Sequence, residues 1–98
     1  MNRLDAVTPG EILDEEFIKG FGISAYKLAK ETKMPATRIS EIIKGKRKIT
    51  VDTALRFSKY FGNSAEFWLN IQNDYDLRIE KSILENDLKT INKIQKVG

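Results

Sequence analysis

At 98 residues, with 41% apolar and 32% charged side chains and a net charge of +3, the chain reads as one ordinary soluble domain. It has no cysteine and no histidine, which excludes disulfides, thiolate metal sites, a Cys nucleophile and any Ser-His-Asp arrangement. No apolar run approaches a membrane span and Met1–Asp5 opens no signal-peptide pattern, so a cytoplasmic protein is expected, without membrane partner, metal, cofactor or catalytic site.

In chain order, Thr8-Pro9 reads as an N-cap followed by proline in the first helical position, and Ile12, Leu13, Phe17 and Ile18 give an apolar stripe ending near Gly20. Ser24 caps a second helix that turns Leu28 and Ala29 inward and runs out at Thr32-Lys33-Met34. Pro35 opens a third, from about 35 to 44, closed by Gly45. Thr50 caps a fourth, with Ala54, Leu55, Ser58 and Phe61 toward the core and Gly62 as its stop. Ser64 caps a fifth, on which Phe67, Ile71 and Tyr75 face away from Leu69, Gln72 and Asp76. After Arg78 the series Ile79, Ile83, Leu84, Leu88, Ile91, Ile94 suggests a further helical stretch with a frayed end. No strand is expected: the fold class is all-α, a domain over 1–78 and a helical extension over 79–98.

Charge is segregated along this plan. Residues 5–16 hold Asp5, Glu11, Asp14, Glu15 and Glu16 and no base. Residues 27–48 hold eight cations against Glu31 and Glu41, a local charge of +6. Lys44, Lys46, Arg47 and Lys48 crowd behind the third helix, more cations than a helix C-terminus needs. The second and third helices are short and separated by a few residues, which is the spacing of a helix-turn-helix. Ala29 is small where the pair must approach, and Leu28, Met34, Ile39 and Ile42 are apolar where it must rest on the domain. Lys33 stands where such turns often carry glycine; a positive φ there costs about 1 kcal/mol. A plain structural helical hairpin remains the rival reading.

The chain also resembles the Xre/Cro/CI helix-turn-helix repressors, and more closely the HigA (VapI) antitoxins. The resemblance runs through Thr8-Pro9-Gly10-Glu11-Ile12-Leu13, Tyr26-Lys27-Leu28-Ala29, Arg38-Ile39-Ser40-Glu41-Ile42, Gly45-Lys46-Arg47-Lys48-Ile49-Thr50 and Asp52-Thr53-Ala54-Leu55-Arg56. It continues in Tyr60-Phe61-Gly62, Ser64-Ala65-Glu66-Phe67-Trp68-Leu69-Asn70 and Gln72-Asn73-Asp74-Tyr75-Asp76-Leu77, and stops at Arg78. It implies a five-helix, lambda-repressor-like domain, dimeric, that binds a palindrome in its own promoter. It further implies an antitoxin that silences a HigB-type, RelE-like, mRNA-cleaving toxin. The alternative is a solitary Xre-type regulator without a toxin.

On a helix-turn-helix the N-terminal turn of the third helix points at bases, which assigns Ala36, Thr37, Arg38, Ser40 and Glu41 as readers. Arg38 suits a guanine bidentately, and Glu41 either accepts from a cytosine or pairs with Lys44 or Lys46. Ser24, Tyr26, Lys27, Lys44, Lys46, Arg47, Lys48 and Thr50 are assigned to phosphates. Leu69, Tyr75, Leu77 and Ile79 are candidates for a homodimer seam. Glu11, Asp14, Glu15 and Glu16 complement a basic toxin, or are solvated surface.

Overall fold

The computed structural model describes residues 7–98; residues 1–6, with the acidic Asp5, lie outside the described residues. Among the described residues there are six helices and no strand. Helix α1 covers Pro9–Ile12 and continues as a π-helical turn over Leu13–Ile18. Then come α2 (Ala25–Thr32), α3 (Ala36–Ile43), α4 (Val51–Phe61), α5 (Ala65–Ile83) and the short α6 (Glu85–Lys89).

Four starts are capped by side chains. Thr8, Ser24, Thr50 and Ser64 each accept from the backbone N–H three residues on. Such caps satisfy donors that the first helical turn leaves open. The π turn has a packing consequence. Its wider spacing brings Leu13 and Ile18, five positions apart, onto one buried face.

Helix α2 ends in a Schellman turn. Lys33 lies at φ 59°, with Met34 N–H donating to the Ala29 carbonyl at 2.9 Å and Lys33 N–H to that of Lys30 at 3.2 Å. The same pair of bonds closes α3, where Gly45 takes the left-handed position at φ 78°. Lys33 thus holds a conformation that glycine adopts without strain. Lys33→Gly is expected to stabilise the fold by up to about 1 kcal/mol, since relief of strain exceeds glycine's added unfolded-state freedom. A raised urea midpoint at unchanged slope checks it.

The core is one cluster: Leu13, Ile18, Leu28, Ala29, Met34, Ile39, Ile42, Ile49, Ala54, Phe57 and Trp68. Two expectations are corrected. Leu55 is exposed and Phe57 fully buried, because positions 54, 57 and 61 share one helical stripe while 55 is rotated about 100° away from 54. Gln72, expected on the side away from Phe67 and Ile71, is buried, whereas Phe67 lies at the edge of the core. Gln72 accepts the N–H of Ile49 at 2.9 Å, a bond that ties the loop after α3 to α5. Helix α5 also passes Arg78 without a break and ends at Ile83, and every residue from Leu77 onward is exposed.

The elements pack so as to present α3. Helix α2 lies against α3 and α4, and α1 fills the space between α3 and α5. At the α1–α3 crossing there is no room for a side chain. A Cβ on Gly10 would sit 2.0 Å from the Ile42 carbonyl oxygen.

Candidate nucleic-acid interface

With Ile39 and Ile42 buried, α3 exposes Ala36 and Thr37 at its N-terminal end. Arg38, Ser40 and Glu41 are half-buried beside them. Pro35, extended at φ −60° and ψ 140°, offers no side-chain acceptor to the first N–H groups of the helix. The structure therefore brings all five assigned readers to one helix.

Two of the five are already engaged. Arg38 Nη1 donates to Asp52 Oδ1 at 2.9 Å, across from the first turn of α4. Arg47 Nε donates to Glu41 Oε1 at 2.9 Å. The sequence offered Lys44 or Lys46 as partners for Glu41. Arg47 takes the place because Gly45 reverses the chain and returns it over the end of α3, where Lys46 N–H meets the Glu41 carbonyl at 2.8 Å.

The residues assigned to phosphates are all exposed, in two groups. Ser24, Tyr26 and Lys27 lie at the start of α2, and Lys44, Lys46, Arg47, Lys48 and Thr50 run from the end of α3 to the start of α4. Ser24 Oγ accepts from Lys27 N–H at 3.0 Å, which leaves its O–H as a donor. Thr50 is more fully committed, capping Thr53 and lying 3.4 Å from its hydroxyl. Lys48 pairs with Asp76 on α5 at 3.0 Å. Lys27, Lys44 and Lys46 carry no ion pair among the described residues. These three are the cations with no neutralising partner to give up.

Sequence reasoning missed the acids and amides that arrange this surface. Asp52 and Arg56, and Gln72 and Asp76, pair locally at i,i+4, but the bonds that tie them to the rest of this surface reach partners 14 to 28 positions away, which the sequence does not show. The carboxyl of Asp52 is held below its ordinary value, first by its hydrogen bond from Arg56 and next by that from Arg38. It stays charged throughout the neutral range, and protonation on acidification would release both arginines.

The other two candidate surfaces are carried by α1 and α5. Leu69 packs half-buried against the core and Tyr75 is half-buried, while Leu77 and Ile79 are exposed. Leu77 lines an open groove between α1 and α5, with Pro9, Ile12 and Ile71 at its base. On α1, Glu11, Glu15 and Glu16 are exposed and Asp14 half-buried. Lys19 bridges two of them, 3.0 Å from Glu15 and 3.6 Å from Asp14. The hydrogen bond to Glu15 raises the Lys19 ammonium above its ordinary value. Among the described residues Glu11 and Glu16 carry no ion pair.

Known proteins share this arrangement. The helix-turn-helix family model matches residues 15–68. Virulence-associated protein I of Dichelobacter nodosus is 47% identical over 93 residues, which span 95% of this chain and 82% of that protein. Antitoxin HigA-1 of Vibrio cholerae is 32% identical over 85 residues, 87% of this chain and 80% of that one. The Pseudomonas aeruginosa antitoxin HigA, solved with the higBA promoter, has a TM-score of 0.86 at 34% identity, covering 91% of this chain and 98% of its own. The helix-turn-helix match over residues 15–68 and the identity shared with these relatives over most of both chains place the chain: it belongs to the Xre-type helix-turn-helix family, in the group of the HigA antitoxins.

Proposed function

We propose that this protein is an antitoxin that represses its own operon by binding a palindromic promoter site as a homodimer, and that it neutralises a HigB-type, RelE-like mRNA-cleaving toxin. The observation that carries the DNA reading is the outward N-terminal turn of α3, bounded by the unpaired Lys27, Lys44 and Lys46. The relative from Pseudomonas aeruginosa was solved with promoter DNA, and antitoxin GraA, 32% identical at a TM-score of 0.85, in complex with its operator. The family is one of DNA-binding regulators and antitoxins, not an enzyme class.

Thr37 and Arg38 act first in reading, with Ala36, Ser40 and Glu41 shaping the fit to base edges. Lys44, Lys46, Arg47 and Lys48, with Ser24, Tyr26, Lys27 and Thr50, hold the backbone and set register. A two-fold dimer through the exposed Leu77 and Ile79, with Tyr75 and Leu69 behind them, would set the two α3 helices about 34–36 Å apart, one turn of DNA. Glu11, Asp14, Glu15 and Glu16 offer the toxin an acidic face on the first helix.

The phosphate role is tested by salt. Lys46→Ala is expected to weaken binding to every duplex alike and to reduce the slope of log K against log salt by about 0.9. An unchanged slope would remove Lys46 from the backbone contacts. The toxin role is tested by co-expression with the neighbouring gene. Relief of growth arrest, lost on reversing Glu11 and Glu16 to Lys, supports it; a neighbour without toxicity leaves a solitary regulator.

A further inference from the structure

Asp52 opens α4 and has no part in the core, yet one of its oxygens holds two arginines. Oδ1 accepts from Arg38 Nη1 at 2.9 Å and from Arg56 Nε at 2.7 Å. Arg56 is itself anchored. Its Nη1 donates to the carbonyls of Thr32 at 2.9 Å and Lys33 at 3.1 Å, the last residue of α2 and the left-handed residue of the turn. A continuous chain of charge-assisted bonds therefore leads from the turn between α2 and α3, through α4, back to a side chain on the reading face.

Arginine is rich in rotamers, and much of that freedom is lost when the fork settles on a base. A guanidinium already held at one nitrogen meets the base with less freedom left to lose. The bond to Asp52 uses Nη1, so other N–H donors of the fork stay available for an acceptor edge. A carboxylate at this place also repels phosphate. It would lower general affinity for DNA while favouring a contact that reads sequence.

We infer that Asp52 is a positioning residue for base reading: anchored by Arg56 to the helix-turn-helix turn, it fixes the guanidinium of Arg38 over the N-terminal end of α3. This rests on the operator-reading role of Arg38 proposed above. The inference makes two effects move in opposite directions when Asp52 is removed, which neither a purely structural role nor a purely electrostatic one does.

The test compares wild type, Asp52→Ala, Asp52→Asn and Arg38→Ala by fluorescence anisotropy on the duplex from upstream of the gene and on a scrambled duplex, with a melting curve for each protein. Asp52→Ala is expected to bind the scrambled duplex at least as tightly as wild type, while the promoter-to-scrambled ratio falls by about tenfold. Asp52→Asn, which keeps an acceptor without the charge, should lose less of the ratio. If both Asp52 variants keep the wild-type ratio while Arg38→Ala loses it, positioning by Asp52 is wrong and the reading of Arg38 stands. If wild type shows no preference, or Arg38→Ala retains it, the reading face is misassigned and the inference falls with it.

Discussion

Trp68→Ala is expected to lower the unfolding free energy by about 4 kcal/mol, in the range for emptying a large aromatic from a core. Trp68 is fully buried and joins three helices. Its ring centroid lies 4.6 Å from that of Phe17 on the first helix, 5.0 Å from Phe57 and 5.9 Å from Phe61 on α4, and 5.1 Å from Phe67 on its own helix. Such pairs add to the area they bury. The indole Nε1 also donates to Asn63 Oδ1 at 2.9 Å, so truncation strands an acceptor in the loop between α4 and α5. In a domain of this size each kcal/mol is worth about 4–8 °C, so the melting point should fall by roughly 15–30 °C. Trp68→Phe, which keeps much of the volume and loses the hydrogen bond, should fall between. A Trp68→Ala protein that melts within a few degrees of wild type would contradict the core described here.

Gly10→Ala should be nearly as damaging, at about 3 kcal/mol, and for the opposite reason. The added methyl would lie 2.0 Å from the Ile42 oxygen and 2.9 Å from the Ile42 carbon and the Ile43 oxygen. All three are backbone atoms at the end of α3, so no rotamer can make room and α1 must move away from the reading helix. Loss of promoter affinity should accompany the loss of stability. Gly45→Ala makes the comparison sharp. Nothing lies within 4 Å of a Cβ there, and only the left-handed φ of 78° penalises it, by about 1–2 kcal/mol. Chemical denaturation of the two variants should rank Gly10→Ala well below Gly45→Ala.

What was legible in the sequence was local. The side-chain caps at Thr8, Ser24, Thr50 and Ser64 were readable because each acts on an N–H three residues away. The Lys33 turn was readable because the two helices around it are short and periodic. The exchange of Leu55 for Phe57 in the core is a phase error of the kind that one helix alone invites. Ala54 satisfies either stripe, and only packing against Trp68 selects the one with Phe57. Gln72 is a different matter. A polar residue is expected outside until a backbone N–H, here that of Ile49, needs it inside.

At the candidate interface the sequence reached the exposed positions but not their restraints. Exposure of Thr37 and Lys46 follows from the buried Ile39 and Ile42 beside them. The pairing of Arg38 with Asp52, of Glu41 with Arg47 and of Lys48 with Asp76 does not, because each depends on how a turn or a second helix returns to α3. Half of the basic cluster behind α3 is thereby neutralised in the free protein. Those pairs must open, or share their donors, when phosphates arrive.

The most direct measurement is fluorescence anisotropy of wild type and Arg38→Ala on the duplex from upstream of the gene and on a scrambled duplex, at two salt concentrations. The account predicts tight, promoter-specific binding by wild type, and loss of about 1–3 kcal/mol of that preference in Arg38→Ala with little change on the scrambled duplex. Equal binding of both duplexes by wild type, or a preference that survives Arg38→Ala, would contradict it.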